Sequence, residues 1–516
     1  MAVQQESRVK KTLLNARVNL IFYALSLFVS FFTRKIFLDK LGVDFVGLTT
    51  TLQNLLGFLN LAELGIGSAI GYVLYKPIFD KDESKLNEII SVFGYIYRWI
   101  GFVIVGAGVI LSAFLPLIFK DISIDLSVVY YVYYSFLTSS LLGYFVNYKQ
   151  TLLGADQKNY VVAGYLQTTV ILKTILQAAL AYYTQNYFIW ATNEIIFGVI
   201  FSIILNWKIA KTYPWLKSDI ALGKGLLKKY PEIFKYTRQL FVHKIGGVVQ
   251  SQITPIFIYV FASLSTVALY GNYMMIINKL NMLISQLLGS SYASVGNLIA
   301  EGNTEKSLKI FWELVAIRFF VAGVITFSVY LLIDPFITIW LGNEFVLNES
   351  ILILICINLF ISMTRGATDA FKYGYGLFSD IWAPIAESII FVTVALVGGY
   401  IWGFEGVLLG SIVSMLVIVW GWHPIFLFNK GFKYSILSYF ISFVKHLLVF
   451  LFCCVGVLWF IRRFVCFIEI TSGFISWILY SSIGISLFSI IYLFALYLTS
   501  TGMKSSMSRL KGRKNN

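Results

Sequence analysis

Charge is what this 516-residue chain has little of: Asp, Glu, Lys and Arg make up 13% of it, about half the share usual in soluble domains. Set against 58% hydrophobic residues and a mean hydropathy of +0.80, that shortage excludes a soluble globular protein. Cysteine is scarce as well. Cys356, Cys453, Cys454 and Cys466 all lie in or beside apolar runs, which argues against a disulfide framework or a thiolate metal cluster. The three histidines, His243, His423 and His446, are scattered without ligand spacing, so no metal site is expected. No G-x-x-x-x-G-K-[ST] segment occurs, so no P-loop drives the protein.

What is present is a series of apolar stretches, each near the roughly 20 residues that cross a bilayer as a helix. They fall at 17–37, 44–74, 89–119, 126–147, 160–184, 188–209, 239–262, 265–297, 307–333, 350–370, 381–402, 404–428, 438–461 and 473–498. The chain is expected to be an all-α polytopic membrane protein of about fourteen transmembrane helices. If the N-terminus is cytoplasmic, the inward connections and both termini carry nearly all the loop cations, including Lys208, Lys211, Lys217, Lys224, Lys228, Lys229 and Lys235. The outward connections carry only Arg34, Lys35, Lys40, Lys120, Arg462 and Arg463. That positive-inside bias places both termini in the cytoplasm and accounts for the net charge of +15 without a nucleic-acid partner. The run after Arg17 is too long for a cleavable signal, so the first helix is expected to stay.

The chain also repeats itself. Gly47, Asn54, Gly65 and Ala69 fall on Gly271, Asn278, Gly289 and Ala293, an offset of 271 − 47 = 224. Leu153-Gly154 answers Tyr375-Gly376 at 376 − 154 = 222. An even number of spans per repeat makes the halves parallel, related by an axis along the membrane normal. The expected organisation is a first lobe over 1–210, an amphipathic cytoplasmic linker over 211–238, a second lobe over 239–430, two further spans over 431–500, and a basic tail over 501–516. In the linker, Leu226, Tyr230, Ile233 and Phe234 oppose Lys228, Lys229 and Lys235, which suits the headgroup layer. Pro255 and Pro384 bend their helices, while Tyr130, Tyr131, Tyr133 and Tyr134 suit an interfacial aromatic belt.

Charges inside spans are costly and point to function. The cations are Arg17, Arg98, Lys173, Lys244, Lys279, Arg318, Arg365 and Lys445, and the clearly internal acids are Glu63, Glu194, Glu313 and Glu387. Lys173 and Lys279 lie too deep to reach water by snorkelling alone. They are expected to face a cationic cavity together with Arg98 and Arg318, a Lys173–Glu194 pair being the alternative. Buried cations clamp phosphate oxygens with charge-assisted hydrogen bonds, so the interior favours an anionic ligand. Asn60, Asn278 and Asn281 are candidate polar lining residues. The four acids are candidates for coupling to Na⁺ or a proton, and no other cofactor is expected.

The division into six, six and two spans, with Leu41-Gly42-Val43-Asp44-Phe45-Val46-Gly47-Leu48 leading to Leu61-Ala62-Glu63-Leu64-Gly65-Ile66-Gly67-Ser68-Ala69, resembles the polysaccharide-exporter branch of the multidrug/oligosaccharidyl-lipid/polysaccharide (MOP) superfamily. It is similar in particular to the Wzx-type repeat-unit flippases. The resemblance implies a non-enzymatic lipid flippase of the bacterial inner membrane, a monomer among polysaccharide assembly proteins. Its implied substrate is an undecaprenyl-diphosphate-linked oligosaccharide carried to the periplasmic leaflet. It also implies Arg17 and Lys244 as diphosphate contacts at the starts of spans 1 and 7. A cation-exporting relative is the alternative, but Val18–Phe32 and Gln239–Ala262 contain no acid. A membrane polymerase is a further alternative, disfavoured because the outward acids sit on short connections.

Overall fold

The computed structural model describes residues 8–512 apart from 64–65, 121, 157, 290–294, 297, 300, 378 and 465–469, and among the described residues every regular element is helical. The first half runs α1 (Arg8–Leu41), α2 (Val43–Leu59), α3 (Ile66–Asp80), α4 (Glu83–Ile118), α5 (Leu126–Phe145), α6 (Gln150–Ala155), α7 (Asn159–Thr184) and α8 (Tyr187–Thr212). Then come α9 (Glu232–Phe261), α10 (Leu264–Gly289), α11 (Thr304–Trp340), α12 (Glu349–Thr364), α13 (Gly366–Gly374) and α14 (Trp382–Trp402). The last helices are α15 (Phe404–Phe432), α16 (Ile436–Phe464), α17 (Phe474–Thr499) and α18 (Thr501–Gly512). Over its described residues each of the fourteen expected spans falls on a helix or a broken helix, the end of 265–297 lying outside them, and ten helices among the described residues are long and apolar enough to cross a membrane by length and composition.

Side chains start several of these helices where polar sequence turns apolar. Asp82 accepts a bond from the Lys85 N–H at 2.9 Å to open α4, and Asn303 accepts one from the Lys306 N–H at 2.9 Å to open α11. Each satisfies an amide that the first helical turn leaves without a carbonyl. Asn186 does the same for α8, accepting from the Phe188 and Ile189 N–H groups.

Among the described residues three expected spans are not continuous α-helix, and the tenth divides at Arg365, between α12 and α13. The second breaks at Asn60–Glu63, a single 3₁₀ turn between α2 and α3, beside Gly57, Gly65 and Gly67, residues that hold helix weakly. In α15 the turns at Leu416–Trp422 and Phe428–Phe432 are wide π turns, flanking an α-helical stretch at His423–Leu427. Pro424 supplies the cause: it offers no N–H and its ring crowds the carbonyl four residues back, so the helix widens there.

The chain forms two compact units, residues 1–259 with 263–268, and residues 260–262 with 269–516. Nearly all of α9, which the repeat assigns to the second half, therefore packs with the first unit. Gly57 on α2 makes room for it, since a Cβ there would lie 2.4 Å from the Gln252 Oε1. The first unit's core gathers Leu48, Leu52, Phe93, Val129 and Tyr133. In the second unit Phe311 of α11 packs among Phe371, Phe428 and Phe432, and Phe327 stacks on Phe488 of α17 at 4.0 Å.

The linker is more tightly held than its composition suggests. The Lys217 N–H donates to Asn87 Oδ1 at 2.6 Å, the Asp219 N–H to Ser91 Oγ at 2.9 Å, and Lys229 and Tyr230 both donate to Glu88. Burial and the Glu88 bond hold the Tyr230 phenol well above its ordinary range. Tyr230 and Ile233 are thus covered by protein, while Phe234 remains exposed.

Candidate functional site

In the first unit the break after α2 gathers polar groups. Glu63 accepts from the Tyr97 hydroxyl of α4, and Asn60 accepts from the Tyr144 hydroxyl of α5 at 3.0 Å. The lining candidate Asn60 and the coupling candidate Glu63 are thus brought to one place, each held by a tyrosine from a neighbouring helix. Three residues apart on a 3₁₀ turn, the two side chains share one face, toward α4 and α5.

Elsewhere in this unit, Lys173 of α7 donates to Glu194 of α8 at 2.7 Å, and Gln177 Nε2 donates to the other oxygen of Glu194 at 3.1 Å and to the Trp190 carbonyl. The expectation of Lys173 as an uncompensated cation facing a cavity is corrected. Its ammonium is half of an ion pair inside the α7–α8 hairpin, because a deep charge in apolar surroundings is stable only beside its opposite. Arg17 and Arg98 are exposed, on α1 and α4. The Lys244 side chain lies outside the described residues.

The second unit concentrates charge at the junction of α12, α13 and α15. Arg365 Nε bonds Asp369 Oδ2 at 2.7 Å, and His423 Nδ1 stands 3.7 Å from Asp369 Oδ1. Lys372 bonds Asp380 Oδ2 at 2.6 Å, which also faces the Trp422 indole N–H at 3.3 Å. Glu387 of α14 lies within electrostatic reach of Arg365, His423, Asp369 and Lys372. The Arg318 guanidinium packs on Gly366, where a Cβ would sit 2.6 Å from its Cζ. Arg365, Arg318 and Glu387 are thus brought together. Lys279 is half-buried on α10, with Asn278 exposed and Asn281 part-buried beside it.

Glu313, buried on α11, bonds Arg509 at 2.7 Å and Ser505 at 2.6 Å, both on α18. The tail is therefore a docked helix, close enough that a Cβ on Gly502 would strike the Trp312 carbonyl. Because Lys173, Arg365 and Glu313 all have opposite charges beside them, the expected surplus of uncompensated interior cations shrinks. The acids that the sequence did not single out are Asp369, at the end of the expected span 350–370, and Asp380, in the connection after it. The one available signal was the Arg365–Asp369 spacing of four, which stacks two charges on one helix face.

With the fold described, the chain is an all-α polytopic membrane protein. Neither a family model nor a curated protein matches its sequence. Among solved structures its fold is similar to the lipid II flippase MurJ in an inward closed conformation, with a TM-score of 0.62 at 15% identity, covering 94% of this chain and 98% of that one. It is also similar to an inward-facing multidrug resistance MATE family transporter of the MOP superfamily, with a TM-score of 0.60 at 15% identity, covering 81% of this chain and 99% of that one. A MATE structure in a bent conformation has a TM-score of 0.50 at 15% identity, covering 82% and 97%. These likenesses establish the fold and assign no residue.

Proposed function

We propose that this protein is a lipid flippase: a transporter that carries an oligosaccharide linked to a polyprenyl diphosphate, of the undecaprenyl kind, from the cytoplasmic to the periplasmic leaflet of a bacterial plasma membrane. The observation that carries the reading is coverage. Residues 436–516 are about 16% of the chain, so the likeness to the lipid II flippase, at 94% coverage, must run into them, whereas the multidrug transporter at 81% need not. At least part of this last stretch thus has a counterpart in a lipid II flippase, and long apolar helices suit a polyprenyl tail. The absence of acids from Val18–Phe32 and Gln239–Ala262 disfavours export of cationic drugs. Both termini are assigned to the cytoplasm from the cation bias, the working form is a monomer beside polysaccharide assembly proteins, and no bond-forming chemistry is assigned.

The test is reconstitution in vesicles with a fluorescently tagged polyprenyl-diphosphate oligosaccharide, scoring how much label a membrane-impermeant quencher reaches with time. Protein-dependent exchange between leaflets is expected. Exchange no faster than in empty vesicles, with a cationic dye transported instead, would overturn the reading in favour of a multidrug exporter.

A further inference from the structure

We propose that His423 and Asp369 form a proton-binding site in the second unit, and that H⁺ is the ion coupled to transport. The coupling half of this statement rests on the transport reading above; the proton site itself does not. Three observations place it. His423 is buried, 7% exposed, and its Nδ1 has no hydrogen-bond partner, although buried polar atoms are nearly always bonded. That nitrogen points at Asp369 Oδ1 across 3.7 Å, longer than a hydrogen bond yet short of the room a bridging water needs. Finally, His423 begins the α-helical stretch between the two π turns of α15, and such wide turns recur at functional sites.

The charges around the pair define what a proton does. Asp369 already has Arg365 on its other oxygen, so the imidazole faces a carboxylate committed elsewhere. From α13 Lys372 is tied to Asp380, from α14 Glu387 lies within electrostatic reach, and from α11 Arg318 packs against Gly366. The helix α16 presents Tyr439 and Phe443 to this stretch of α15, and its Lys445 is exposed. When a proton from solution bonds to His423, both ring nitrogens become donors, and Nδ1–H donates to Asp369 Oδ1. Asp369 is then shared between Arg365 and His423, and closing the 3.7 Å gap draws α15 toward α13. Releasing the proton restores the gap. No other covalent bond forms or breaks.

The chain has three histidines, His243, His423 and His446, so solid-state NMR of histidine-labelled full-length protein in lipid resolves each imidazole, with His423→Gln giving the assignment. The expected result is that lowering the pH converts His423 to the doubly protonated form, with Nδ1–H bonded to Asp369. In Asp369→Asn the ratio of charged to neutral His423 at a given pH is expected to fall about tenfold or more. A His423 that stays neutral to pH 5, or that titrates identically in Asp369→Asn, overturns the proton site. His423→Gln, which keeps the Arg365–Asp369 pair, serves as the folded control. In the vesicle assay it should still exchange lipid but lose the acceleration that an imposed pH gradient gives the natural protein. Lipid exchange indifferent to the gradient in the natural protein overturns the coupling, whereas a titrating His423 without lipid exchange defeats the flippase reading and leaves the proton site standing.

Discussion

The two units tie the same junction with different chemistry. In the first, Asn147 follows the end of α5 and reaches α8, donating to Ser202 Oγ at 2.9 Å and accepting from Asn206 at 3.1 Å. In the second, the repeat puts Asp369 at the corresponding place, 369 − 147 = 222, and it reaches α15 at His423 while holding Arg365. Amides and hydroxyls satisfy one another at any pH between 5 and 8 and leave nothing unpaired. A carboxylate, a guanidinium and an imidazole hold only as a group, since each charge is costly without the others. One copy of a duplicated junction has thus become indifferent to protons and the other sensitive to them.

The sharpest way to break this contrast is to remove the central acid. Asp369→Ala leaves the Arg365 cation facing His423 with no carboxylate between them, and is expected to destabilise the protein by about 3 kcal/mol, measured by reversible unfolding in mixed micelles. Asn147→Ala, which removes neutral bonds only, should cost about 1 to 2 kcal/mol. Equal losses at the two positions would erase the distinction between the units.

The Lys173–Glu194 pair asks whether charge in the first unit behaves as charge does in the second. Lys173→Ala strands a nearly buried carboxylate and should cost about 2 kcal/mol, while Lys173→Ala/Glu194→Gln should recover at least about 1 kcal/mol of that. Strict additivity in this cycle would show that the two side chains do not interact. Expression must be normal for the cycle to count, so membrane-inserted protein is quantified alongside.

The smallest effect is expected at the tail. Arg509 is more than half exposed, and Ser505 keeps its own bond to Glu313, so Arg509→Ala should cost about 0.5 to 1 kcal/mol. Its clearer readout is faster proteolysis of α18, because Arg509 helps hold that helix against α11. A tail cleaved at the same rate in both proteins would show that Glu313 is not its anchor.

Reading the sequence located the helices well, because an apolar run of bilayer length has few alternatives once water is absent. It found Glu63 and Asn60 as functional candidates but not the tyrosines that hold them, since Tyr97 and Tyr144 lie on other helices and look like ordinary interfacial aromatics. It set Lys173 beside Glu194 only as an alternative, the two being 21 positions apart across a hairpin whose rotation no local pattern fixes. His423 was dismissed for lacking ligand spacing. Its partner is 54 positions away, at the last turn of another expected span, where an acid four residues from Arg365 looks like a local surface pair.

By itself the amino-acid order determined that this is a membrane protein of helices built from a duplicated unit, because hydrophobicity per residue, helical rise and the offset between copies are properties of the chain read along its length. Only the tertiary structure decided which charges are spent on one another and which atom is left over. That selection depends on how each helix is rotated about its axis, where a π turn advances a side chain around the helix, and which carboxylate then lies within a few ångströms of an imidazole.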